Sequence, residues 1–553
     1  MAELKYIEGY PEYMYQLIQR VHETREKRKT FEFPAMTKEE QEEILNQLHP
    51  DNISGGNREI SIGPNKGEMA VNQIVDLLEA YPLIEEGEVD LTHVDYTPDI
   101  MIIGGGLAGT TASIWANVQG VPNDKILLVN KLRHGDANSI MAEGGTQAAD
   151  REVDSVQRHF LDTMGGGHFT NKPDVVRALV EDAPLIMNWL HELGAMLDRE
   201  ENGDFVEKWG GGTSIKRLHS CRDYTGLEEF RVIRDEFRSR EIECIEHFPV
   251  VELLTDGKGR VSGAILYNLE TGEYKVVQAK ATILATGGFG RLHIRGFPTT
   301  NHYGATADGL VLAYRAGARL RDVDTVQYHP TGAAYPLQII GYLLTEKLRT
   351  SGAQPVNIDG EAFVYPLETR DVEMSAIIRE CYVRNKGITT PTGLIGVWLD
   401  TPMIEVKNGQ GYIDKAFPGM RRMFSRYNID MRKNPVLVFP TLHYQNGGVE
   451  TDPWGHSTLE GLWLAGEVSG GVHGKNRLMG NSTLDTMVFG RRSGISAAEY
   501  VKSGKDFAAL SLEHTKRYVK MLGEAGIGPQ RRSPMLLPEY RGKAALARMI
   551  DVF

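Results

Sequence analysis

The 553-residue chain predicts an α/β fold. It reads as a Rossmann-like nucleotide-binding domain, rebuilt from distant stretches of sequence, that carries an inserted α+β domain and a helical N-terminal extension. Three observations predict this. A strand, a glycine-rich turn, a helix and a second strand follow Thr97-Pro98 in register. Short apolar strands then recur far downstream, at Ala281–Ala285 and Leu462–Ala465. Between those returns lies a long stretch, about 324–442, which is the candidate insert.

Residues 1–95 differ from the rest. Tyr13–Lys29 and Lys38–Leu48 carry helical spacing with many charges, Pro50–Gly67 is turn-rich, and Ala70–Ala80 is helical again. This arm has no chemistry of its own and reads as a packing appendage or a docking surface. Asp99–Ile103 is an apolar run suited to a strand buried on both faces. GGGLAG (104–109) opens a helix over Thr110–Val118, and Lys125–Val129 completes the βαβ unit. A lone GxGxxG says little, but in this setting each glycine has a mechanical task. Gly104 permits the turn, Gly106 lets backbone approach a pyrophosphate, and Gly109 lets helix meet strand, with Leu107 and Ala108 between them. The second strand ends in Asn130 and Lys131 where an acidic residue usually binds ribose, which weakens a simple NAD reading.

Later segments are expected to rejoin the same sheet: a hairpin-like pair, Gly259–Tyr267 with Thr271–Val277, and the strand 281–285. Thr306–Gly309 opens a helix to about Ala316. The expected division is a 1–95 extension, a first nucleotide-binding segment over 96–323, a capping insert over 324–442, a second nucleotide-binding segment over 443–500, and a helical tail over 501–553.

Composition narrows the function classes. A formal net charge of −13 argues against broad nucleic-acid binding, which needs a basic face, but permits a local cationic pocket. Cys221, Cys244 and Cys381 are far apart, so neither a cluster ligated by cysteines nor a disulfide framework is expected, no metal is assigned, and a reducing compartment fits. No run of about 18 apolar residues occurs and the N-terminus lacks a signal pattern. A cytoplasmic protein, at most attached to a membrane through partners, is the expectation.

The motifs follow in order: MAEGGTQAA (141–149), WGGG and DYTG within 209–226, ATGG (285–288), QYHPTG (327–332), TEKLR (345–349), TRD (369–371), HYQNGG (443–448), and GEVSGGVHGKNRLMGNS (466–482). Taken singly, each has a bland reading: a core histidine, a surface ion pair, an exposed helix face, a solvated turn. Taken together, over residues 97–500, they resemble the flavoprotein subunit of fumarate reductases and succinate dehydrogenases. L-Aspartate oxidases belong to the same superfamily.

The resemblance implies bound FAD. Glu467 would bind ribose hydroxyls and Asp308 would lie in the FAD shell. Ser139, Gly144 and Gly145 would line the flavin, with Ser482 and Leu484 facing its ring. Membrane-bound members carry a covalently attached histidine where this chain has Asn138, so non-covalent FAD is expected; His134 is the nearby rival for attachment. The resemblance also implies a fumarate/succinate site. His443 and Arg477 would hold one carboxylate and His329 with Thr345 the other. Arg370 would be the proton donor for hydride transfer at flavin N5, reloaded through Glu346 and Arg349, with Asp371 holding Arg370 in place. Thr350-Ser-Gly352 and the extra span Ala333–Tyr342 depart from the family pattern and touch the wall of the site. Electrons would be exchanged with an outside partner, foremost an iron–sulfur subunit. Two alternatives stand beside this reading. One is an L-aspartate oxidase, although Trp209 precedes the glycines where an acidic residue would meet an ammonium. The other is an electron-transfer subunit whose dicarboxylate site is vestigial.

Overall fold

The structure, a computed structural model, describes residues 9–538 and 540. Its centre is a five-stranded, wholly parallel sheet, ordered Leu462–Leu464, Ala281–Leu284, Ile100–Ile103, Ile126–Val129, Glu243–Ile245. Every residue of the first four strands is buried, as an apolar run covered on both faces requires. The fold class expected from sequence is therefore the one observed. The edge strand 243–245 carried no apolar signal, because its residues are not fully buried.

The fingerprint works mechanically. Gly104 has φ +112°, closed to most side chains. A Cβ on Gly109 would lie 1.8 Å from the Gly104 carbonyl oxygen, so only glycine lets helix Leu107–Val118 reach the sheet. The long helix Asn481–Lys502 packs along that helix.

The hairpin corrects one expectation. Val261–Tyr267 pairs with Tyr274–Gln278, but also with Val250–Thr255, forming a separate antiparallel three-stranded sheet. The hairpin does not enter the parallel sheet.

A second antiparallel sheet runs Gln327–Ala333, Val436–Tyr444, Ile395–Asp400, Gln354–Val356. Helix Arg370–Ile378 lies against its first strand. The N-terminal helices Glu12–Lys29 and Lys38–Leu48 brace this unit from outside. Arg25 and Arg28 both grip the fully buried Asp400, each at 2.8 Å. Helix 38–48 packs on helix 370–378, and Gln41 Nε2 donates to Glu368 at 2.9 Å. The arm thus buttresses the helix that begins with Arg370.

Past Lys502, helix Glu513–Glu524 packs beneath helix Asp308–Ala316. The rest of the expected tail, 541–553, lies outside the described residues, as do 1–8 and 539. Among the described residues no helix is long and apolar enough to cross a membrane.

Candidate active site

One continuous cleft runs from the glycine fingerprint to the antiparallel sheet. Its walls include Gly104, Gly106, Ala108, Asn130, Lys131, Asn138, Ser139, Gly144, Gly145, Asp308, Glu467 and Ser482 at one end, and His329, Thr345, Glu346, Arg370, His443 and Arg477 at the other. Segments separated by hundreds of residues meet there.

The first end fits a dinucleotide. The helix 107–118 points its N-terminus at the cleft, where unpaired N–H groups and the helix dipole favour phosphate. Ser139 Oγ accepts from Leu107 N–H at 3.2 Å, tying the flavin-side loop to the fingerprint. Lys131 Nζ bonds Asp308 Oδ2 at 2.6 Å and Thr306 Oγ1 at 2.7 Å. The Thr286 hydroxyl in the cleft wall is buried without a partner, a group awaiting a ligand. Glu467 accepts from Gln445 N–H at 3.0 Å and approaches Asn138 Nδ2 at 3.4 Å. Burial raises its pKa to about 7, so a hydroxyl-bearing partner would compensate it.

Three residues expected at the cofactor do not line the cleft. The Leu107 and Leu484 side chains turn into the apolar core, and Gly109 is spent on helix–sheet packing. In helix 481–502, Ser482 and Thr486 face the cleft, and Leu484 falls on the opposite face. His134 is likewise absent from the walls: its ring stands edge-on to Phe230 and Phe237, and Nε2 is 3.0 Å from Thr110 Oγ1. Asn138 does line the cleft, donating to Asn301 Oδ1 at 3.0 Å and accepting from His302 N–H at 2.6 Å.

The second end gathers the basic groups. The rings of His329 and His443 stand 5.1 Å apart, centroid to centroid. Burial, reinforced by nearby arginines, pushes both well below the usual histidine pKa, so both are neutral. Thr331 N–H donates to His329 Nδ1 at 3.2 Å, which makes Nδ1 an acceptor and leaves the proton on Nε2. His443 Nδ1 is occupied by Thr300 Oγ1 at 2.8 Å. Thr345 is fully buried beside them.

Arg370 is the first residue of helix 370–378. Its Nε donates to Glu346 Oε2 at 2.8 Å and one terminal nitrogen to Gln327 Oε1 at 3.0 Å. Burial and the like charge of Arg349 lower its pKa, against the raising effect of Glu346. The positive end of the helix dipole adds to this lowering. Glu346 itself is held below the usual carboxylate range: burial alone would raise it, but Arg370 and Arg349 outweigh that. Its other oxygen accepts from Gly211 N–H at 2.6 Å, and a Cβ on Gly211 would lie 2.7 Å from that oxygen. The WGGG motif therefore supplies backbone to Glu346. Arg349 approaches Glu346 at 3.5 Å and pairs closely with Glu373.

Asp371 does not hold Arg370. It accepts from His168 Nε2 at 2.6 Å and from Val372 N–H at 2.9 Å. Gln327 takes that positioning task, because its amide nitrogen also donates to Asn476 Oδ1 and the Arg477 carbonyl. Glu373 (paired with Arg349), Thr300, Asn301 and His168 support the site and were missed in the sequence; Gln327 stands inside the QYHPTG motif, but its tie to Arg370 does not show there.

Arg477 is buried yet pairs with no carboxylate among the described residues. It donates to Ser482 Oγ at 2.9 Å and the Leu478 carbonyl at 3.2 Å, and lies 4.5 Å over the Tyr444 ring; its Nε has no partner. Burial, with Arg370 nearby, lowers its pKa to about 9. Such a group is a standing demand for an anion.

Comparison with known proteins agrees with this geometry. The FAD binding domain family matches residues 99–483. A subunit of the fumarate reductase (CoM/CoB) of Methanothermobacter marburgensis is 38% identical over 446 residues, covering 78% of this chain and 79% of its own. An L-aspartate oxidase of Streptomyces coelicolor is 34% identical, covering 71% of this chain and 67% of its own. Among solved structures, the FrdA chain of an E. coli quinol fumarate reductase superposes with a TM-score of 0.69 at 30% identity, over 78% of this chain and 74% of that one. The chain is an FAD-binding oxidoreductase and belongs to the family of fumarate reductase and succinate dehydrogenase flavoprotein subunits.

Proposed function

We propose that this chain is the catalytic subunit interconverting fumarate and succinate, with Arg370 as the proton donor. The observation that carries the reading is the buried, carboxylate-free Arg477 beside neutral His329 and His443. A four-carbon dianion supplies the missing negative charge at one end. At its other end, hydrogen-bond donors from His329 and Thr345 orient it, and arginine grips a carboxylate bidentately.

Bound FAD supplies the hydride equivalent. Everything else falls to the chain. Arg370 presents its guanidinium to the cleft at a lowered pKa and gives a proton to the substrate carbon. Glu346 Oε2, 2.8 Å away, returns one, and Arg349 links Glu346 to Glu373. Burial raises the Glu373 pKa although Arg349 opposes it, which makes Glu373 the carboxylate of the relay readiest to take up a proton. Arg349 also borders a second cavity lined by Glu32 and Phe33 of the N-terminal arm, which offers the relay an outlet.

The extra span before Thr345 brings Tyr342 and Leu343 into the wall. It adjusts the shape of the site and leaves the reacting groups in place. The relative from Methanothermobacter marburgensis is one subunit of a larger enzyme, which fits electron exchange with a further, iron–sulfur-bearing partner. The FAD is non-covalent, because Asn138 offers no attachment point and His134 is turned away.

The test is a steady-state assay of the isolated chain in both directions, with reduced viologen driving fumarate reduction and a dye accepting electrons from succinate. Turnover in at least one direction is expected. Aspartate oxidation with peroxide release, and no fumarate turnover, would replace this reading. Denaturation should release all flavin into the supernatant; fluorescence retained on the denatured band would refute non-covalent binding.

A further inference from the structure

Behind the flavin-side loop, three metal-competent side chains converge. Strand Thr146–Gln147 pairs antiparallel with Leu218–His219. Around that pair, Asp150, Glu207 and His219 bring ligand atoms within 4.8 Å of one another. None of the three belongs to the cleft.

The decisive observation is His219. It is 1% exposed, and neither ring nitrogen has a hydrogen-bond partner. A buried ring with no aligned hydrogen bond at either nitrogen costs free energy that a ligand would recover. Its Nε2 lies 3.2 Å from Asp150 Oδ2. Two adjacent ligand atoms, each about 2.1 Å from one cation, sit about 3.0–3.4 Å apart. Glu207 divides its oxygens: Oε2 approaches Arg151 Nε at 3.5 Å, whereas Oε1 is buried and unpartnered. The Asp150 side chain is 18% exposed, which leaves a path from solvent to the cluster.

We propose that Asp150, Glu207 and His219 form a structural site for a first-row divalent cation of the Zn²⁺ or Mn²⁺ class. One imidazole with two carboxylates suits these ions; Mg²⁺ and Ca²⁺ prefer oxygen alone. The site joins two walls of the cleft. Asp150 follows Gly144 and Gly145, and Glu207 lies four residues before Gly211, whose N–H holds Glu346. A bound cation fastens the loop carrying Gly211 to the strand beside the cofactor.

The test uses the full chain with FAD bound, stripped with chelator and titrated with MnCl₂ while free Mn²⁺ is read by electron paramagnetic resonance. One Mn²⁺ bound per chain and displaced by Zn²⁺ is expected, with a raised melting temperature. Asp150→Asn is nearly isosteric and alters a side chain that reaches solvent, so the fold should survive it. It and Glu207→Gln should each weaken binding at least about tenfold, the loss that even removing an outer-shell partner brings. No saturable binding to the unaltered chain, or unchanged affinity in both variants, would overturn the proposal.

Discussion

Arg477→Met separates stability from binding. The guanidinium is 3% exposed and satisfied only by neutral groups: Ser482 Oγ, the Leu478 carbonyl and the Tyr444 ring. Arg370 adds a like charge to its burial. Replacing buried ion pairs by well-packed apolar side chains is often neutral or stabilising by about 1–4 kcal/mol, and a guanidinium with no carboxylate has no Coulombic gain to lose. Here the loss of the bonds to Ser482 Oγ and the Leu478 carbonyl offsets that by about 1 kcal/mol each. The substrate-free protein should therefore melt close to the unaltered one. A dianion, by contrast, loses the cleft guanidinium that has no carboxylate partner among the described residues. Removing one partner of a buried charge pair costs about 2–5 kcal/mol, or roughly 30- to 5000-fold in affinity. Titration with fumarate or succinate, followed by flavin absorbance, reads the affinity; scanning calorimetry reads the stability. Dianion affinity within about threefold of the unaltered protein, a difference well under 1 kcal/mol, would refute the reasoning, whatever the melting temperature.

Two further predictions rest on buried charges elsewhere. Burial lifts Glu467 from 4.5 to about 7. A raised folded-state pKa contributes stability that is full below about 4.5 and lost as pH climbs through about 7, a difference of at most about 3 kcal/mol. Glu467→Gln should flatten the decline in apoprotein stability between pH 5 and 8, measured by urea unfolding, while weakening FAD binding; an unchanged pH profile would contradict this. Asp400→Ala strands Arg25 and Arg28 and should cost about 3–5 kcal/mol, with faster proteolysis between the two N-terminal helices; a melting temperature within a degree of the unaltered chain would count against the arm as a brace.

What could be read from sequence was local. The βαβ fingerprint sits in one window of about thirty residues, where strand, turn and helix signals support each other. The histidines and arginines came as ordered short motifs, and the fold brings His329, His443, Arg370 and Arg477 to one end of one cleft. What could not be read was pairing across distance. Asp371 looks like the natural holder of its neighbour, Arg370, yet its partner His168 lies 203 positions away. Gln327 is visible inside its motif, but its link to Arg370 depends on strand 327–333 lying beside helix 370–378. Leu484 is set apart from Ser482 by helical phase, which only a firm helix start at Asn481 reveals. The arm of residues 9–48 shows its helices but not their destination, since Arg25 meets Asp400 375 positions on. The spacing of Asp150, Glu207 and His219 matches no short metal motif, so the cluster is silent in sequence.

In the proposed mechanism Arg370 delivers the proton within a cleft that takes a dicarboxylate. The most direct measurement is viologen-driven fumarate reduction by Arg370→Ala at a verified one-to-one flavin ratio. General acid catalysis contributes about 10²–10⁴ in rate, so kcat should fall by that factor while FAD stays bound, with Arg370→Lys recovering a small fraction. Turnover within about tenfold of the unaltered enzyme, short of even the lower bound for a positioned acid, would contradict the account.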